Sequence, residues 1–107
     1  MFVWSVPSVS EVLIPTFVSE VDTSGYRGIP GDPIIVVAGD DFQLAGVTVK
    51  ITDADGILVE QGACMPNLTA GNYVFTSTVA VSNVAGTTIT ARATDTPGHT
   101  AELSVTL

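Results

Sequence analysis

Val47-Thr48-Val49-Lys50-Ile51-Thr52, followed by Asp53-Ala54-Asp55-Gly56, is the stretch that decides the fold. Apolar and polar side chains alternate with a period of two. In an extended chain that sends Val47, Val49 and Ile51 to one face and Thr48, Lys50 and Thr52 to the other. The four residues after it are turn formers, and Gly56 supplies the backbone freedom a tight reversal needs. The segment therefore predicts a half-buried strand and a hairpin, with the chain returning through Ile57 to Gly62.

The same pattern extends outward in both directions. Downstream, Ile89, Ala91 and Ala93 oppose Thr88, Thr90 and Arg92 within Thr87 to Thr94, and Ala101, Leu103, Val105 and Leu107 oppose Glu102, Ser104 and Thr106. Asn72 to Val81 reads as another strand, with Tyr73, Phe75, Val79 and Val81 inward and Ser77 as an interruption. Upstream, Pro33 to Ala38 is a nearly continuous apolar run, expected to be a central strand covered on both faces. Glu11 to Val21 is expected to be an edge strand broken at Pro15, which has no N–H to donate. The loop Asp22 to Asp32, the connection Met65 to Gly71, and the turns Ser82 to Gly86 and Asp95 to Gly98 separate these runs. The expectation is an all-β sandwich of seven strands, with turns at the short spacing typical of such folds. No window holds an apolar stripe at helical spacing, and Thr, Val and Ile crowd every element.

The chain has 107 residues, enough for one domain. Residues 11–107 are read as that domain, and 1–10 as an N-terminal extension or extra edge strand. In the extension, Phe2, Val3 and Trp4 either pack along the sandwich or dock on a neighbouring domain or subunit. Arg27, Lys50 and Arg92 face eleven carboxylates, for a net charge of −8. Such a surface repels phosphate backbones and anionic lipid, which argues against nucleic-acid binding and membrane docking. The apolar runs are far shorter than a membrane helix requires, which argues against membrane insertion. The opening residues lack the basic region of a secretory leader, but a chain cut from a longer precursor would leave export open.

Chemistry-bearing residues are sparse. His99 follows Pro97-Gly98 in a turn, where a solvated ring is expected, and no serine sits in a nucleophile-elbow pattern. Cys64, flanked by Ala63 and Met65, reads as a small buried hydrophobe with no cationic neighbour to activate it. Asn67-Leu68-Thr69 fits a glycosylation triplet. One Cys and one His fall short of a zinc site. Calcium suits the turn carboxylates Asp40, Asp41, Asp53, Asp55 and Asp95, with Asp40 and Asp95 the best candidates, although aspartate also favours turns because it bonds nearby backbone N–H groups. Carbohydrate binding would draw on aromatic faces, of which Trp4, Tyr26, Tyr73 and four phenylalanines are available, but Tyr73 and Phe75 are expected inward and Trp4 and Tyr26 lie in separate loops or termini. For a protein partner, Tyr26 and Arg27 in the loop Thr23 to Pro30, together with Trp4, are the expected anchors.

Three stretches taken together resemble the bacterial immunoglobulin-like modules of surface and secreted proteins. They are Ala38-Gly39-Asp40-Asp41-Phe42 running through Leu44-Ala45-Gly46 to Val47-Thr48-Val49, the Asp53-Ala54-Asp55-Gly56 hairpin followed by Gly62, and Ala93-Thr94-Asp95 with Pro97-Gly98-His99-Thr100-Ala101. In the last stretch His99 stands where the family commonly has Asn. The resemblance covers Ile34 to Leu107. It implies a seven-stranded Greek-key sandwich of the immunoglobulin or fibronectin III kind and a non-enzymatic role without a resident cofactor. It also implies a spacer or adhesive module of a larger exported or cell-surface protein. The alternative is a module that binds carbohydrate or calcium.

Overall fold

The computed structural model describes residues 16–39, 44–95 and 98–107 of the chain. Eight strands follow one another, β1 Phe17–Asp22, β2 Pro33–Gly39, β3 Leu44–Thr52, β4 Leu58–Ala63, β5 Met65–Asn67, β6 Asn72–Thr76, β7 Thr88–Asp95 and β8 Thr100–Thr106. They form two four-stranded sheets, ordered β1-β2-β6-β5 and β4-β3-β7-β8, with every neighbouring pair antiparallel. No helix occurs among the described residues, so none is long and apolar enough to cross a membrane.

The sandwich forms because the apolar phase of each sheet can be hidden only against the other. Val21, Ile34, Val36 and Phe75 of the first sheet and Val47, Val49, Ile51, Ile89, Ala91 and Ala93 of the second make up most of the core. Ile34, Val49, Ile51, Ile89, Ala91 and Ala93 have no exposed surface at all. Each isoleucine or valine buried this way stabilises the fold by about 1.5–3 kcal/mol. The turn after β3 closes as its composition demands. The Asp53 carboxylate accepts the N–H groups of Asp55 and Ile57, each at 2.9 Å, and Gly56 takes φ 82°.

Four sequence expectations are corrected. The sandwich has eight strands, because Met65–Asn67 is a short strand where a connection was expected. Cys64 carries the chain from the second sheet to the first while its N–H donates to the Val47 carbonyl at 2.7 Å, and Met65–Asn67 then pairs with Asn72–Val74 at the sheet edge. Pro66 is tolerated there because an edge position does not need its missing N–H. Next, β6 ends at Thr76, short of Val81, and Val79 is 39% exposed. Beyond Thr76 the backbone pairs with a loop: Ser77 N–H donates to Asp32 O and Gly31 N–H to Ser77 O, while the Ser77 hydroxyl donates to Ile29 O. Third, β2 is central, but only one face is covered, with Ile34 and Val36 buried and Ile35 and Val37 half-buried. The first strand is an edge strand over Phe17–Asp22. The expected break at Pro15, and the extension at residues 1–10, lie outside the described residues. The fourth correction concerns Tyr26 and belongs to the loops.

Candidate functional site

Chemistry-bearing side chains collect at the two ends of the sandwich. At one end β7 finishes on Asp95, paired with Leu44 at the start of β3. Asp95 is 1% exposed, and its carboxylate is engaged by the turn it begins. The His99 N–H donates to Oδ1 at 2.6 Å, His99 Nδ1 lies 3.0 Å from Oδ2, and the Thr16 hydroxyl donates to Oδ2 at 2.9 Å. Backbone bonds from Asp95 N–H to His99 O and from Gly98 N–H to Asp95 O complete the turn. A buried carboxylate is costly unless hydrogen-bonded, and here the donors come from the turn and from the chain just before β1. The His99 ring itself is solvated, its side chain 73% exposed, as expected for that turn.

Among the described residues no hydroxyl or thiol is hydrogen-bonded to the His99 ring, as a nucleophilic relay would need. In such a relay the hydroxyl donates to the imidazole. Here the Thr16 hydroxyl donates to the carboxylate instead. Of the calcium candidates, only Asp53, Asp55 and Asp95 are among the described residues, and these three are not gathered. Asp40 and Asp41 lie outside the described residues. Asp53 and Asp55 follow Thr52, whose partner on β7 is Thr88, so they occupy the opposite end from Asp95. Among the described residues no three His, Cys, Asp or Glu side chains stand together as a metal-holding group.

At the other end the loop between β1 and β2 folds back into the sandwich. Tyr26 is 4% exposed and belongs to the core, so as a surface anchor for a partner it is corrected. Its turn closes through Tyr26 N–H donating to Thr23 O at 2.9 Å, which aims the ring inward. The phenol oxygen has no hydrogen-bond partner among the described residues, and burial, then the Glu60 and Asp32 carboxylates, push its pKa up. Arg27 next to it is exposed, while its N–H donates to Asp32 Oδ2 at 2.8 Å. Trp4, the third expected anchor, lies outside the described residues.

Two carboxylates that sequence reasoning passed over organise this end. Asp32 accepts from the N–H groups of Arg27 and Ile29 and so holds the β1–β2 loop. Glu60 accepts from Thr78 N–H at 3.0 Å, Thr78 Oγ1 at 2.9 Å and Val79 N–H at 3.1 Å, fastening the segment that follows β6. The available signal was its phase: Glu60 lies opposite inward-facing Ile51, an odd place for a charge without a local task.

Cys64 is 8% exposed, and burial pushes its thiol up to about 11. It is thus the small hydrophobe the sequence predicts. A neutral native thiol against an unfolded thiol of ordinary acidity gives stability that is complete below pH 9.0 and is lost as pH rises toward about 11. Urea midpoints measured across that range are expected to fall, and to fall less in Cys64→Ala. At mildly alkaline pH, iodoacetamide should label the unfolded chain and spare the native one. Equal labelling would contradict the burial.

No protein-family model matches the chain, and no curated protein matches it. Among solved structures it is similar to CopC from Methylosinus trichosporium OB3b. The TM-score is 0.56 at 16% sequence identity, over 83% of this chain and 87% of that one. The likeness is one of fold. It supports the two-sheet sandwich over most of the chain, and it carries no residue roles across.

Proposed function

We propose that the domain is a non-catalytic, immunoglobulin-like module that acts as a spacer or adhesive unit of a larger exported or surface protein. Its strand order supports the immunoglobulin-like reading. The sheets β1-β2-β6-β5 and β4-β3-β7-β8 follow the ABED and CFG plan of a constant-type domain, with β4 added beside β3. The observation that carries the spacer reading is the path of the chain. Thr16 is bound to Asp95 at one end, whereas Leu107 is held at the other, its N–H donating to Thr87 O and its carbonyl accepting from Gly86 N–H. Neighbouring domains attached at these two opposite ends would stand in line.

A head-to-tail fusion of two copies tests this reading by small-angle scattering. The expected particle is elongated, with its longest dimension close to twice that of one copy. Two copies folded back side by side would overturn the spacer reading.

A further inference from the structure

The chain has only three Lys and Arg residues against a net charge of −8, yet the fold brings two of them together. On the outer face of the second sheet, Thr48 lies opposite Arg92 and Lys50 opposite Thr90, so Lys50 and Arg92 are diagonal neighbours on adjacent strands. Such neighbours stand roughly 7–8 Å apart, and two like charges at that spacing repel. Gln61 on β4 flanks Lys50, and Glu102 on β8 flanks Arg92. A groove of about 300 Å³ runs among Thr48, Lys50, Gln61, Thr90, Arg92 and Glu102.

The cation pair is under-neutralised from within. The Lys50 ammonium has no hydrogen-bond or ion-pair partner among the described residues. Arg92 meets Glu102 only at 3.7 Å, with both side chains more than half exposed. Among the described residues, one carboxylate against two cations leaves the groove with an excess positive charge on an otherwise acidic molecule. We propose that this groove binds a carboxylated saccharide, with the sugar carboxylate on Lys50 and Arg92 and ring hydroxyls on Thr48, Thr90 and Gln61.

The lining selects that class of ligand over others. A protein partner needs apolar or aromatic anchors at the centre of its contact, and among the described residues no large apolar side chain faces into the groove. A polyphosphate would meet the repulsion of the whole acidic molecule for the sake of a single excess charge. A sugar acid brings one carboxylate to the cations. It also brings hydroxyls, which pair with groups that both donate and accept, as Thr hydroxyls and the Gln amide do. Thr90 is already held in place, its hydroxyl 2.8 Å from that of Ser104. The volume lies at the small end of ligand sites, suited to one or two sugar rings. The site stands whether or not the domain serves as a spacer.

The test is an NMR titration with methyl galacturonoside, with methyl galactoside as neutral control and acetate as a carboxylate without a sugar. Methyl galacturonoside is expected to shift amides of β3, β4 and β7 and to bind at least about tenfold more tightly than either control. Lys50→Gln and Arg92→Gln should each weaken it by about tenfold, and Glu102→Gln should tighten it by removing the competing carboxylate. All three side chains lie on the solvent face, so unchanged melting curves verify that the fold is intact. Methyl galactoside or acetate binding as tightly as methyl galacturonoside would overturn the proposal. So would shifts confined to other strands, or affinity indifferent to Lys50 and Arg92.

Discussion

Val49→Asp is expected to leave the chain unfolded in dilute buffer, while Thr48→Asp, one residue away, leaves it folded. Val49 has no exposed surface and lies between Gly62 and Ala91 on the flanking strands. A carboxylate there has no donor to receive and must be protonated or dragged toward water. Either course costs several kcal/mol, against about 5–15 kcal/mol for the stability of a whole domain. Thr48 faces solvent opposite Arg92, so an aspartate there gains a cross-strand cation and should change stability by less than about 0.5 kcal/mol. Urea unfolding followed by circular dichroism reads both variants. Equal damage from the two would mean that the sheet faces are assigned the wrong way round.

That contrast rests on the part of the structure most open to sequence reading. Where a strand hides one face, the period of its side chains is the period of its burial. Val47, Val49 and Ile51 on β3, and Ile89, Ala91 and Ala93 on β7, occupy the core as their spacing predicts. Strand β8 keeps the same phase, with Leu103 and Val105 half-buried and Glu102 and Ser104 exposed. Strand β5 was not legible for the converse reason. Met65, Pro66 and Asn67 are all exposed, so no alternation exists to detect, and the strand forms only because β6 offers it an edge. Ser77 was visible as a break in an apolar pattern, but the pattern could not say that the backbone passes there from strand to loop pairing.

Side chains with chemistry were harder to read because their surroundings come from distant sequence. Asp95 is legible as a turn residue. Its burial is not, since one of its donors is Thr16, 79 residues away. Tyr26 sits among turn formers and reads as exposed, yet the loop folds its ring into the core. Lys50 and Arg92 can each be assigned to the solvent face from alternation alone. That they are neighbours depends on the β3–β7 register, which no single-strand pattern contains.

Gly28→Ala is the second substitution expected to cost heavily, and it bears on function as well as stability. Gly28 is buried, with φ +84°, and its carbonyl accepts the Val81 N–H at 2.8 Å. A Cβ added there would lie 2.3 Å from the Val81 carbonyl oxygen and 2.9 Å from Val84 Cγ1. The left-handed backbone alone costs a residue with a side chain about 1–2 kcal/mol. The clash adds to this, because its nearest obstacle is backbone and Val81 cannot swing aside without giving up its own bond to Gly28. A total loss of about 3 kcal/mol or more is expected, on the order of 15 °C in Tm for a domain of this size. Gly31→Ala separates the two costs, since Gly31 has φ +98° but nothing within 4 Å of the added Cβ, so only the conformational part applies. If differential scanning calorimetry gave both variants the same small drop, the loop between β1 and β2 would yield easily where it meets the segment after β6. That end of the sandwich would then be a hinge, and an in-line spacer requires both ends to be stiff.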